Sequence, residues 1–194
     1  ANLDDPETER LARASGTPVV INGNLRDGSL RQYAAEQGVK SLLYEAGEAL
    51  RFSPLATRAG VRGVLNVMAA LKMIRSRRVK GAQALAAEGS QWVRAPQGGL
   101  LRHEVQLGTR VECGDTVGMI SDAVGHNETE VVTPVTGIVI GRSNLPVVNE
   151  GDALFHIARF ADSAKAETAI EDFHSSHIEG LGPGDYPDTG QADS

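Results

Sequence analysis

The sequence is poor in several things that usually announce a function. It has one cysteine, Cys113, in 194 residues. No internal disulfide is possible, which fits a reducing, cytoplasmic setting. Aromatic residues make up only 4%. No run approaches the ~20 apolar residues a membrane span needs. The opening Ala1-Asn2-Leu3-Asp4-Asp5 has neither a basic region nor an apolar core, so no signal peptide is read there. No lysine occurs between Lys80 and Lys165, and no histidine precedes His103.

Charge of one sign is also scarce outside the end of the chain. Residues 160–194 hold eight acidic groups against one lysine, while residues 1–159 hold seventeen acidic and eighteen basic groups. The whole-chain charge of −6 is therefore a property of the tail. Nothing in this balance points to nucleic acid or to a membrane surface. The basic run Lys72, Arg75, Arg77, Arg78, Lys80 reads as a solvated helix end or linker. Hydrophobic residues at 41% and charged residues at 23% describe an ordinary globular chain.

Residues 1–80 alternate between helical and strand patterns. Asp4 or Asp5 caps a first helix, with Pro6 in its first turn and Gly16 at its end. Thr17–Ile21 reads as a buried strand. Ser29 caps a second helix over Leu30–Gln37, and Val39–Tyr44 (VKSLLY) reads as a second strand. Ser53-Pro54 opens a third helix whose buried stripe is Val61, Val64, Leu65, Met68 and Leu71. The order α-β-α-β-α argues a parallel sheet with helices packed on it. Two strands are few for such a sheet, so this part reads as a portion of an α/β domain.

Residues 90–158 repeat themselves. Ala95–Leu100 aligns with Thr133–Ile138, Cys113–Val117 with Glu150–Leu154, and Ile120 with Ile157. Each copy reads as strand, glycine turn, strand, Gly-Asp turn, strand. Such short units cannot bury an apolar face alone, so the copies pack on each other. The pattern resembles the barrel-sandwich hybrid of biotinyl and lipoyl domains. Those domains carry the cofactor on a lysine in the hairpin between repeats. Here that hairpin is Gly125–Thr129 and has no lysine, so neither biotin nor lipoate has an attachment point. Residues 160–194 read as a short helix, Ala164–Phe173, followed by a flexible acidic tail.

A catalytic zinc needs about three protein ligands converging on one point. His103, His126, His156, His174 and His177 do not supply such a set. His174 and His177 share a helical spacing with Glu171 but lie beside the acidic tail. His126 reads as a polar hairpin tip, His156 as an ordinary strand residue and Cys113 as a partly exposed turn residue. No metal site is expected in this chain.

Glu45 is the best single candidate. It follows the apolar run VKSLLY directly. Sites in open α/β sheets gather at the carboxyl ends of strands. A half-buried carboxylate there is suited to proton transfer. The plain alternative is the first residue of a loop.

The surrounding residues bear on that choice. Tyr44-Glu45-Ala46-Gly47-Glu48-Ala49-Leu50-Arg51-Phe52 and Gly60–Met68 resemble the succinylglutamate desuccinylase/aspartoacylase family. So do Gly28-Ser29-Leu30-Arg31, fourteen to seventeen residues ahead of Glu45, and the lysine-less β module. The resemblance runs from about residue 10 to about residue 160. It implies an α/β part with a zinc-carboxypeptidase-like fold and hydrolysis of the amide of an N-acylated amino acid or amine.

It also implies that Glu45 takes the proton of a zinc-bound water and passes it to the leaving nitrogen. Gly47 would keep the turn open. Arg31 and Arg62 match arginines of the family and either bind substrate or brace the loop. The family's His-x-x-Glu motif and second zinc-binding histidine have no counterpart here. The chain is therefore expected to be the C-terminal portion of such an enzyme, inactive alone, with zinc belonging to the full-length protein. The competing expectation is a non-catalytic binding or assembly module built on the lysine-less β part. The expected partner is a small N-acyl amino acid or amine, with neither nucleic acid nor membrane. Whether the protein forms a homo-oligomer stays open.

Overall fold

In a computed structural model, residues 1–48, 51–75 and 84–178 are described. Helix α1 (Pro6–Ala14) begins as its cap chemistry dictates, with the Asp5 carboxylate accepting from the Thr8 amide at 2.7 Å. Strand β1 (Val19–Ile21) follows. Helix α2 (Leu30–Glu36) is capped by Ser29, and helix α3 (Pro54–Ala70) by Ser53 with Pro54 in its first turn. Asn66 of α3 donates through Nδ2 to the Ser15 carbonyl at 2.9 Å, fastening α3 to the end of α1.

Two expectations for this part fail. Residues 39–44 form no strand, and Val39 and Leu43 are exposed. The parallel partner of β1 is instead β2 (Leu85–Ala87), paired Val19 to Leu85 and Ile21 to Ala87. Arg13 Nη1 reaches the Ala84 carbonyl at 2.8 Å and ties this strand to α1. The α3 stripe is not a buried face either. Val61, Val64 and Leu71 are exposed, and Gly63 is the residue of α3 that is buried. Arg77, Arg78 and Lys80 lie outside the described residues.

The second part is built of eight strands. They are β3 (Gly89–Arg94), β4 (Gly99–His103), β5 (Arg110–Val111), β6 (Thr116–Ser121), β7 (Thr129–Val132), β8 (Gly137–Arg142), β9 (Val147–Val148) and β10 (Ala153–Arg159). They form two four-stranded antiparallel sheets, ordered β3-β10-β8-β5 and β7-β6-β4-β9. Each sheet mixes strands from both sequence repeats, so neither repeat completes a sheet without the other. Among the described residues no ladder joins the two sheets, and no closed barrel results.

The repeat persists at atomic detail. Gly114 N–H donates to the Thr133 carbonyl and Gly151 N–H to that of Ala95, each at 2.9 Å. Asp115 accepts from the Glu112 amide, and Asp152 from the Asn149 amide, each at 2.8 Å. Gly114 and Gly151 both have positive φ, +98° and +85°.

The core between these sheets holds Val93, Leu101, Val111, Val117, Ile120, Val131, Val139, Val148, Leu154, Phe155 and Ile157. A second apolar cluster joins the two parts of the chain. Ala87 of β2, Ile138 and Ala158 of the β part, and Ala166 and Ile170 of α4 (Ser163–Ile178) pack together, with Val19 and Ile21 against them. Helix α4 is longer than expected and continues past Phe173. Residues 179–194 lie outside the described residues. Among the described residues, no helix is long and apolar enough to cross a membrane.

Candidate functional site

A cleft of about 1170 Å³ opens where the two parts meet. One wall is β1 with the connection that follows it, Asn22 to Asn24. Residues 42–47 form the rim. The lining also takes in Trp92 of β3, Gly141 of β8 and His156 of β10, together with Phe173 and His174 of α4.

Glu45 lines this cleft. It is exposed, not half-buried, because no strand carries residues 39–44 into a sheet. Its segment is held from three sides. Lys40 Nζ pairs with the Asp5 carboxylate at 2.6 Å, the Val39 amide donates to the Ala34 carbonyl at 2.8 Å, and the Tyr44 ring lies on Gly63. Gly47 has φ +85°, and a Cβ there would stand 3.2 Å from the Ala56 Cβ. Glycine therefore lets the rim turn against the start of α3.

Arg31 also lines the cleft, and its Nη2 donates to the Gly23 carbonyl at 2.7 Å. It thus braces the connection after β1 while facing the same space as Glu45. The Ala1 nitrogen donates to the Ile21 carbonyl at 3.0 Å, alongside the same connection. Arg62 lies on α3 and is not among the residues lining the cleft. Among the lining residues that are described, Glu45 is the one carboxylate, and Arg26, Arg31, His156 and His174 line the same cleft.

The histidines divide by role. His103 Nε2 is 2.7 Å from the Ser143 carbonyl, and its ring packs edge-on against Phe155, a structural position. His126 is at the exposed tip between β6 and β7, where Asp122 organises the turn by accepting from the amides of Val124 and His126 and from Asn127 Nδ2. Those contacts lower the Asp122 pKa, the His126 amide most. Cys113 is exposed, as expected of a turn residue.

His156 and Trp92 are cleft residues that strand patterning does not pick out. The available signal is local: His156 is the polar side chain between Phe155 and Ile157, which are fully buried. Burial lowers the His156 pKa, while the Glu45 charge acts in the opposite direction.

Among the described residues, no three His, Cys, Asp or Glu side chains come together as a metal-ligand group. The residues lining the cleft therefore do not fit the zinc that the family resemblance implies.

No protein-family model matches this chain, and no curated protein does. Solved structures do. A succinylglutamate desuccinylase/aspartoacylase from Rhodobacter sphaeroides matches with a TM-score of 0.69 and 25% identity over 81% of this chain and 49% of that one. The apo ectoine utilization protein from Ruegeria pomeroyi matches with a TM-score of 0.71 and 18% identity, over 79% and 51%. An aspartoacylase family protein from Mesorhizobium loti matches with a TM-score of 0.64 and 20% identity, over 84% and 50%. The chain spans about half the length of the structures it matches, and over some four-fifths of its own length it has the fold of the succinylglutamate desuccinylase/aspartoacylase family.

Proposed function

We propose that this chain is part of a deacylase that hydrolyses the amide bond of an N-acylated amino acid or amine, with Glu45 as its general base and acid. The observation that carries this reading is the placement of Glu45. It is the one carboxylate among the described residues of a cationic cleft, in a chain that shares the family fold. A carboxylate at the wall of such a cleft can take a proton from attacking water and return it to the leaving nitrogen. Arg26 and Arg31 suit a substrate that itself bears a carboxylate.

The reading takes no step through zinc. It assigns the metal ligands to sequence outside this chain. That assignment is supported by α2, which buries none of its residues and leaves Leu30 and Tyr33 exposed, with Val39, Leu43 and Phe52 nearby in sequence. The reading keeps the β part as a lysine-less barrel-sandwich module that contributes to the lining of the cleft.

The second reading is a binding or assembly module without catalysis built on the lysine-less β part, whose Val124, Leu145 and Val147 are exposed. Assay of the protein carrying this chain against N-succinylglutamate, N-acetylaspartate and related acylated amino acids separates the two. Release of free amine is the expected result. No hydrolysis of any such amide, from protein with intact fold, would favour the binding module.

A further inference from the structure

The second edge of β1 already carries one rung of a further strand. The Ala1 nitrogen donates to the Ile21 carbonyl at 3.0 Å, and the Gly23 amide donates to the Ala1 carbonyl at 2.8 Å. A residue bonded in this way to both neighbours of Asn22 is a parallel partner of Asn22. The first edge of β1 belongs to β2: the Leu85 amide donates to the Pro18 carbonyl at 2.9 Å, and the register runs from Val19–Leu85 to Ile21–Ala87. Backbone groups alternate in direction along a strand. Those of Pro18, Val20 and Asn22 therefore turn towards β2, and those of Val19, Ile21 and Gly23 towards the Ala1 side.

Among the described residues no strand continues this second ladder. Two strands of three residues make a marginal sheet, and parallel sheets are normally covered on both faces. The cleft runs along the same stretch, with every residue from Thr17 to Ile21 in its lining. The connections fit a strand–helix–strand unit. Four residues separate Ala1 from α1 and four separate α1 from β1, both ordinary lengths for such units.

We propose that the second edge of β1 is an interaction surface for an extended segment running parallel to it, and that its occupant is the stretch of the same polypeptide leading into Ala1. The proposal rests on the reading of this chain as part of a longer deacylase. The rung at Asn22 sets the register. The residue two positions ahead of Ala1 lies opposite Val20, its amide donating to the Val19 carbonyl and its carbonyl accepting from the Ile21 amide. The Val19 carbonyl also accepts from Thr17 Oγ1 at 3.2 Å, and its second lone pair serves the new bond. A second copy pairing β1 to β1 about a two-fold axis would run antiparallel, against the sense that Ala1 sets. The incoming strand ends beside Asn22 to Asn24, where Arg31 is fastened to Gly23. Part of the cleft is thus a strand slot, and the space left for a small molecule is less than its 1170 Å³.

Amide hydrogen exchange followed by NMR, in the protein carrying this chain, tests the pairing without any assay of activity. The Ile21 amide should exchange at least about 100-fold more slowly than amides of exposed loops, as the β2-facing Val20 amide does. Cross-strand proton contacts should join Ile21 to the second residue ahead of Ala1. An Ile21 amide that exchanges like the loops, with Val20 still protected, would overturn the proposal. So would protection accompanied by contacts to an antiparallel strand, to a second copy or to a segment from elsewhere. A protected Ile21 in a protein that hydrolyses no acylated amine defeats the deacylase reading alone. An active protein with an unprotected Ile21 defeats this proposal alone.

Discussion

The Tyr44 ring lies so close to Gly63 that a Cβ on the glycine would come within 3.0 Å of Cε1 and 3.2 Å of the hydroxyl oxygen. Burial pushes the Tyr44 phenol pKa up, partly offset by the Ser15 side chain. The contact fixes the residue immediately before Glu45 onto α3. Gly63→Val should therefore cost about 1–3 kcal/mol through overpacking and shift the rim of the cleft. Thermal denaturation reads the first effect and the Tyr44 ring resonances the second. Unchanged Tyr44 resonances would show that α3 does not set the rim.

The two glycine turns of the β repeat make equivalent predictions. A Cβ on Gly99 would lie 2.3 Å from the Ser121 carbonyl oxygen, and one on Gly137 would lie 2.2 Å from that of Ala158. Backbone cannot yield that far. Gly99→Ala and Gly137→Ala should each lose about 3 kcal/mol or more. Gly98→Ala, whose Cβ would meet ordinary contacts from 3.4 Å, should lose less than about 1 kcal/mol. Denaturant titration of all three variants checks the contrast.

Much of this architecture is written locally. Asp5, Ser29 and Ser53 accept the amide bonds that start their helices, and caps depend on a few adjacent residues. The repeat is legible because each Gly-Asp turn needs its own residues, wherever its partner lies. The strand reading of Val39–Tyr44 fails because pairing is a tertiary matter. Its apolar residues suit a strand, yet β1 pairs with Leu85–Ala87, a short alanine-rich segment with a weak strand signature. The α3 stripe fails likewise: periodicity finds an apolar face but not whether anything covers it. Glu45 is legible through its neighbours in sequence. His156 reaches the cleft through β10, and its local sign is a polar side chain between Phe155 and Ile157, both fully buried.

The Asp5–Lys40 pair should make the rim segment acid-sensitive. The Lys40 ammonium and then the Thr8 contacts hold the Asp5 carboxyl down to about 2, against an ordinary value of 3.8. A lowered carboxylate pKa favours the fold above the ordinary value, and that contribution is lost as pH falls from about 4 toward 2. Lys40→Met should raise the Asp5 midpoint and flatten this acid dependence. Carboxyl NMR titration of both proteins checks the sign, and an unchanged midpoint would remove Lys40 from the account.

The tip between β6 and β7 offers no amine. Expression with a biotin or lipoyl ligase should leave the intact mass unchanged, because no lysine lies between Lys80 and Lys165. A stoichiometric adduct within residues 90–158 would contradict this.

The account stands on Glu45 as a proton-transferring residue. Its most direct test is steady-state hydrolysis by the active protein carrying this chain, with Glu45→Gln against the unaltered sequence. The amide keeps the shape and loses the basicity. The account predicts that kcat falls by about 10²–10⁴-fold, the usual worth of general acid–base catalysis, with KM little changed. Unchanged turnover would contradict it and return Glu45 to an ordinary place on the rim of the cleft.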